Sequence, residues 1–176
     1  MAVLADVLTG LRALIALLLV AMVGQGRLET AAALLATAWL TDFFDGKSAR
    51  AASRPTHLGQ WDLQVDTFVG AGLMIGLALG GYVSWGVGLL VVVVLGGGWI
   101  ALGNNSLSSV LQATAYGLFM WLAYSQSING WWLPPVVILI IATLNWHRFI
   151  HDSIPGFFEG IADLSSAARR FVKSTS

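Results

Sequence analysis

Cysteine is absent from the sequence, and charged residues are scarce. Without cysteine the chain has neither disulfide bonds nor metal sites built on thiolates. Charged residues make up 10% of the chain, against about 25% in a typical soluble domain. They balance to a net charge of zero, which gives no reason to expect a nucleic acid as a partner. Because 57% of the 176 residues are hydrophobic, we expect an integral membrane protein.

Long apolar runs are separated by short breaks that contain glycine, asparagine or charged residues. A membrane-spanning helix needs about twenty predominantly apolar residues. Six segments approach this length, so we expect an all-α protein with six transmembrane helices. The segments lie near residues 5–24, 30–46, 59–80, 83–103, 107–126 and 132–151.

The basic residues indicate the orientation of these spans. With six spans, both termini lie on the same side of the membrane, and every Lys and Arg except Arg27 falls on that side. Since Lys and Arg concentrate in cytoplasmic loops, we predict that both termini are cytoplasmic.

The C-terminal segment, residues 154–176, differs from the spans. Apolar residues such as Ile154, Phe158 and Ile161 recur at helical spacing, and basic residues follow at Arg169 and Arg170. This pattern predicts an amphipathic helix that lies in the cytoplasmic interface of the membrane. A frayed, solvated tail is the alternative.

A stripe of glycines marks the third predicted span. Gly72, Gly76 and Gly80 recur every four residues, and such a stripe lets two helices approach closely. Two uses of this stripe are open, the interface of a homodimer or close packing inside one bundle.

Four aspartates are the most unusual feature of so apolar a chain. Asp42 and Asp45 are three residues apart, and Asp62 and Asp66 are four apart, so each pair shares one face of a helix. A carboxylate at the centre of a transmembrane helix costs about 2.5–3.5 kcal/mol. Four of them so close together indicate a bound cation, and an all-oxygen ligand set suits Mg²⁺ or Mn²⁺. The predicted topology places them at the cytoplasmic ends of spans two and three.

The residues around the aspartates suit a substrate that contains phosphate. Gly46, Ala49 and Gly59 are small and allow a bulky ligand to approach the backbone. Arg50 supplies a planar, permanent cation for a phosphate. Carboxylates, a divalent cation and arginine together favour chemistry on a pyrophosphate-containing substrate. The alternative is an ion- or proton-coupled transporter, because membrane transporters also use intramembrane acids.

The whole pattern resembles a known enzyme signature. The stretch from Asp42 to Asp66 reads Asp-x2-Asp-Gly-x2-Ala-Arg-x8-Gly-x2-Asp-x3-Asp. It is similar to the motif of the CDP-alcohol phosphatidyltransferases, Asp-x2-Asp-Gly-x2-Ala-Arg-x8-Gly-x3-Asp-x3-Asp, in all eight fixed residue types, with one residue fewer between Gly59 and Asp62. The N-terminal Asp6-x2-Thr9-x2-Arg12 resembles that family's Asn-x2-Thr-x2-Arg, with Asp in place of Asn. The resemblance implies a six-span catalytic domain over residues 1–153, followed by the interfacial segment, in a bacterial cytoplasmic membrane.

The resemblance also implies a reaction and a role for each matching residue. The phosphatidyl group of a CDP-linked lipid, CDP-diacylglycerol, passes to an alcohol, and CMP leaves. Asp66 acts as the general base toward the acceptor hydroxyl. The metal ions are held by Asp42, Asp45, Asp62 and Asp66. The CDP-lipid is bound at Gly46, Ala49, Arg50 and Gly59.

The acceptor is less determined than the donor. Arg54, Arg148 and Arg12 are candidates for binding a phosphate of the acceptor, because the topology places them on the cytoplasmic side. Around the last aspartate the chain reads Val65-Asp66-Thr67, which matches no branch of the family closely. Glycerol 3-phosphate ranks first, since it is the commonest acceptor of short bacterial members. Inositol phosphate, serine and another alcohol remain alternatives.

Overall fold

The computed structural model describes residues 2–51, 58, 61–148, 150–151 and 154–175. Within these ranges all regular secondary structure is helical, as the sequence predicts. The helices are α1 (Ala2–Gly24), α2 (Leu28–Ala51), α3 (Asp62–Leu79), α4 (Trp85–Leu102), α5 (Asn105–Ser125), α6 (Leu133–Leu144), α7 (Trp146–Arg148) and α8 (Ile154–Thr175).

Three of these helices are long and apolar enough to cross a membrane. They are Val3–Gly24 of α1, Asp62–Leu79 of α3 and Trp85–Leu102, which is α4. By contrast, α6 has 12 residues. At 1.5 Å per residue it is about 18 Å long, well short of the roughly 30 Å hydrocarbon core. Length and composition therefore support three of the six predicted spans.

Two predicted spans are not uniform α-helices. α4 contains a π-helical segment, Val92–Gly97, where the glycine run weakens the regular α-helical ladder. The sixth predicted span, residues 132–151, is interrupted in its described part. α6 ends at Leu144 because Asn145 takes the non-helical angles φ −114° and ψ 25°. Asparagine favours such positions, since its side chain competes with the helical hydrogen bonds of the backbone.

α1 lies at the centre of the bundle, between α2 and α3. α3 also packs against α5, and α2 packs against α6. The side chains that fill the contacts around α1 are aliphatic and largely fully buried. They include Leu19, Val23, Leu35, Leu73 and Leu77.

The glycine stripe of α3 faces α1. A Cβ atom at Gly72 would lie 2.7 Å from the carbonyl oxygen of Ala16, and one at Gly76 would lie 2.9 Å from Cβ of Val23. Both separations are shorter than van der Waals contact, so only glycine allows the two backbones to approach this closely. The stripe therefore serves packing inside one chain, and it gives no support to the homodimer.

The start of α5 holds α8 through two side chains. Asn104 Nδ2 donates to the carbonyl oxygen of Gly160 at 3.0 Å, and Ser106 Oγ donates to that of Phe157 at 3.2 Å. A Cβ atom at Gly160 would overlap Ser106 Oγ. Phe158 and Ile161 remain exposed, so α8 is held along one side while apolar side chains face outward.

The contact between α1 and α3 yields a test. Gly72→Ala should lower the free energy of unfolding by about 1–3 kcal/mol, because the added methyl group overpacks the site. Gly117→Ala in α5 is the matched control, since a Cβ atom there meets no atom within 4 Å; it should be neutral or slightly stabilising. Thermal unfolding of the purified protein in detergent measures both. Equal stability of the two variants would contradict the close approach.

Candidate active site, a carboxylate cluster around a buried arginine

Three helix segments meet at one end of the bundle. They are the first half of α1, the last turns of α2 and the first turns of α3. Because α1 and α3 run side by side, Arg12 of α1 comes next to the first residues of α3. Ala16 follows Arg12 by one turn, and its carbonyl oxygen faces Gly72, where it would lie 2.7 Å from an added Cβ atom. The glycine contact thus controls the distance between Arg12 and the carboxylates of α3.

The guanidinium of Arg12 contacts all four aspartates of the motif. Nη1 donates to Asp42 Oδ1 at 2.6 Å and to Asp66 Oδ1 at 2.5 Å. Nη2 donates to Asp45 Oδ2 at 2.7 Å and also to Asp62 Oδ1. A single side chain of α1 therefore connects two carboxylates of α2 with two of α3.

The cluster has a buried side and an open side. The side chains of Arg12 and Asp45 are 1% and 5% exposed. Those of Asp42, Asp62 and Asp66 are 48%, 39% and 27% exposed. The three open carboxylates can thus meet a ligand that arrives from outside the bundle, whereas Asp45 lies beneath them.

Two residues of the N-terminal motif support the cluster from α1. Thr9 Oγ1 donates to Asp45 Oδ2 at 2.7 Å. Asp6 Oδ1 accepts a hydrogen bond of 2.7 Å from the backbone N–H of Leu58, in the connection between α2 and α3. An asparagine amide oxygen accepts in the same way, which explains physically why Asp can stand at this position. The spacing of Asp6, Thr9 and Arg12 places them on one helix face, a signal that the sequence analysis did not use.

The open carboxylates fit a divalent cation. One oxygen each from Asp42, Asp62 and Asp66 lies within 4.8 Å of the others. Four ionised carboxylates against one guanidinium also leave three negative charges uncompensated. Mg²⁺ and Mn²⁺ prefer such oxygen ligands. The donor set and the charge both suit a metal, although Asp45 contacts Thr9 and Arg12 instead of joining this group of three.

The residues that form this cluster lie within a match to a known protein family. A family model described as CDP-alcohol phosphatidyltransferase matches residues 2–146. The chain belongs to the CDP-alcohol phosphatidyltransferase family. The resemblance noted in the sequence is thereby confirmed, and the protein is assigned to a family of transferases that act on substituted phosphate groups. Neither the curated proteins nor the solved structures include a match to the chain.

The residues expected to bind the CDP-lipid are described only in part. Gly46 lies in α2 directly after Asp45, and Ala49 and Arg50 lie in the last turn of that helix. The side chains of Ala49 and Arg50, and all of Gly59, fall outside the described residues. These assignments therefore stay predictions.

The three arginines proposed for the acceptor phosphate differ in position. Arg54 and the side chain of Arg148 lie outside the described residues. Arg12 is buried, and its two terminal nitrogens make four contacts with carboxylates. Because these two nitrogens carry four N–H groups in total, none is left for a phosphate in this arrangement. In this structure Arg12 forms ion pairs with the four aspartates. Its binding of an acceptor phosphate stays a prediction.

Thr67, which follows the last aspartate, turns away from the open side of the cluster. Its side chain is buried, and Oγ1 lies 2.5 Å from Ser108 Oγ in α5. In addition, Gln112 Nε2 donates to Ser108 Oγ at 3.1 Å. This position therefore joins α3 to α5, and its identity is a poor guide to the acceptor.

Replacing Thr67 by Val should affect stability rather than acceptor choice. The variant leaves buried polar groups of α5 with fewer partners, so unfolding should become easier by about 1–2 kcal/mol. Thr114→Val is a milder control, because that hydroxyl bonds the Val110 carbonyl of its own helix. CMP release with several acceptors should keep the wild-type ranking. A changed ranking in the Thr67 variant would contradict the assignment.

Proposed function

We propose that this enzyme transfers the phosphatidyl group of CDP-diacylglycerol to glycerol 3-phosphate and releases CMP. The observation that carries the proposal is the convergence of the four motif aspartates at one end of the bundle. Three of them are open to a ligand, and family membership supplies the reaction class. Inositol phosphate, serine and other alcohols are the acceptors against which glycerol 3-phosphate is to be tested.

A divalent cation, Mg²⁺ or Mn²⁺, belongs to this proposal. Asp42, Asp62 and Asp66 would hold it, with Asp45 beneath them. When bound, such an ion neutralises phosphoryl oxygens and stabilises the charge that develops on them during transfer. The remaining work of the site is to position donor and acceptor.

Asp66 is the proposed general base. The acceptor oxygen forms a bond to the lipid-linked phosphorus while the bond from that phosphorus to the CMP oxygen breaks. The proton of the acceptor hydroxyl passes to the Asp66 carboxylate. A base must be reachable by the acceptor, and the side chain of Asp66 is 27% exposed. It also lies one turn after Asp62 on the same face of α3, so a base and a metal ligand meet the substrate together.

The proposed membrane arrangement keeps six spans, with the site and both termini on the cytoplasmic side. α8 supports it, because this helix contacts the start of α5. The bond between Thr67 and Ser108 connects the same end of α5 to the start of α3. α8 thus lies at the same end of the bundle as the carboxylates. An interfacial α8 would place the open aspartates at the membrane surface, where a water-soluble acceptor arrives.

The reaction is tested with purified protein, CDP-diacylglycerol and Mn²⁺, offering one acceptor at a time and measuring CMP. We expect release with glycerol 3-phosphate to exceed release with inositol phosphate or serine, and chelation of the metal to stop it. A faster reaction with another acceptor would replace glycerol 3-phosphate. Absence of CMP with every acceptor would overturn the proposed activity.

The roles of two aspartates can be separated by substitution. Asp66→Asn should lower turnover by about 10²–10⁴-fold, the usual contribution of a general base, while Mn²⁺-dependent binding of the CDP-lipid weakens but persists, because Asp42 and Asp62 still offer carboxylates to the ion. Asp42→Asn should lose both turnover and binding. Glu29→Gln is the control, because Glu29 is exposed and bonds Asn129 at the opposite end of the bundle. Equal loss of lipid binding in the two aspartate variants would refute the division of roles.

The absence of cysteine makes the placement of α8 measurable. Phe158→Cys and Glu159→Cys each introduce a single thiol for a nitroxide label, at adjacent exposed positions. In liposomes, the label at 158 should collide more with oxygen, which concentrates in lipid. The label at 159 should collide more with a water-soluble nickel chelate. Equal access of the chelate to both labels would mean that α8 lies in water.

A further inference from the structure

We infer that Arg12 is a positioning residue that acts as a built-in counter-cation, holding the four aspartates together until a divalent metal takes over part of that task. The inference rests on the metal site of the proposed function but not on the transfer reaction. It assigns to a buried residue of α1 a role that differs from binding the acceptor.

The charge distribution is the first support. Among the described side chains, Arg12 is the one cation in contact with the aspartates. Lys47, although close in sequence, lies over the ring of Phe43 at 4.2 Å from its centroid. Carboxylates that share a site repel one another. Without Arg12, α2 and α3 would therefore carry opposed acidic faces with nothing described between them.

The geometry of Arg12 is the second support. Nη1 joins Asp42 of α2 to Asp66 of α3, and Nη2 joins Asp45 of α2 to Asp62 of α3. Each terminal nitrogen thus connects the two helices. Nε is buried without a hydrogen-bond partner. The guanidinium makes its contacts with the carboxylates while leaving this donor unsatisfied, so the carboxylates dominate its placement.

The shared ligands are the third support. Three of the carboxylates that contact Arg12 are those of the group that can hold a metal, Asp42, Asp62 and Asp66. A divalent ion among them would cross-link α2 and α3, as Arg12 does now. Bound metal and Arg12 would therefore both hold α2 against α3. The stability of the protein should depend more on one of them when the other is lost.

The test compares thermal unfolding of wild type and Arg12→Gln, with EDTA or with Mn²⁺ and without donor or acceptor. In EDTA the variant should unfold roughly 10 °C lower, as expected when one partner of a buried ion pair is removed from a chain of this size. Mn²⁺ should raise the Tm of the variant more than that of wild type. A larger rise in Tm reports tighter binding of Mn²⁺ to the folded state. Calorimetry should therefore show that the variant binds Mn²⁺ about tenfold more tightly than wild type does, because a positive charge that repels the ion has been removed.

Two further variants sharpen the comparison. Arg12→Lys retains the charge but offers only one ammonium group, which cannot join the helices twice, so its Tm in EDTA should fall between wild type and Arg12→Gln. It is also the measurable variant if Arg12→Gln does not survive in EDTA. Arg27→Gln removes one exposed arginine at the opposite end and should leave both the Tm and Mn²⁺ binding unchanged.

Two results would overturn the inference. One is a Tm of Arg12→Gln in EDTA within about 2 °C of wild type, because Arg12 would then not hold the cluster. The other is an equal loss of Tm with and without Mn²⁺ in the Arg12 variants, because the role would then be independent of metal. If the expected shifts appear in a protein that releases no CMP, the inference stands and the proposed reaction fails. A Tm that Mn²⁺ shifts in neither wild type nor variants is a case of the second result, and it would overturn the proposed metal site as well as the inference.

Discussion

One guanidinium shared by four carboxylates holds together the acidic end of the bundle. Arg12 comes from α1, and its partners come in pairs from α2 and α3. A charge in an apolar bundle is costly unless it is paired, and here each charged group of the cluster has a partner. The pairing also leaves an excess of negative charge on the open side. The ion pairs with Arg12 therefore lower the cost of burying the carboxylates and still leave enough negative charge to bind a cation.

Close packing of α1 and α3 makes that contact possible. The glycines of α3 bring its backbone against the carbonyl groups of α1, and Arg12 lies one turn from the point of closest approach. On the other side of α3, Thr67 binds Ser108 of α5. α3 is therefore held on two sides, and only the face with Asp62 and Asp66 points into the open cluster. Packing in apolar surroundings relies on such close contacts and buried hydrogen bonds, because lipid offers no hydrophobic drive between helices.

Much of this arrangement could be predicted from the order of the residues. The spacing of Asp42 and Asp45, and of Asp62 and Asp66, predicts paired carboxylates on helix faces, and family membership agrees with the motif. The break at Asn145 and the π-helical segment in α4 could not be predicted from apolar content, because both depend on local backbone competition inside long apolar runs. The burial of Asp45 beneath the other three aspartates could not be predicted either, because it depends on contacts with Thr9 and Arg12 of α1.

The sequence by itself determined the helical class, the acidic motif and the family, because helical periodicity and fixed spacing are local properties of the chain. Only the tertiary structure decided that the glycine stripe faces α1, that Thr67 turns toward α5 and that Arg12 lies among the carboxylates. Each of these depends on which helices become neighbours. The partner of a buried charge is chosen by packing between segments distant in sequence: Arg12 and Asp66 meet because α1 and α3 approach closely.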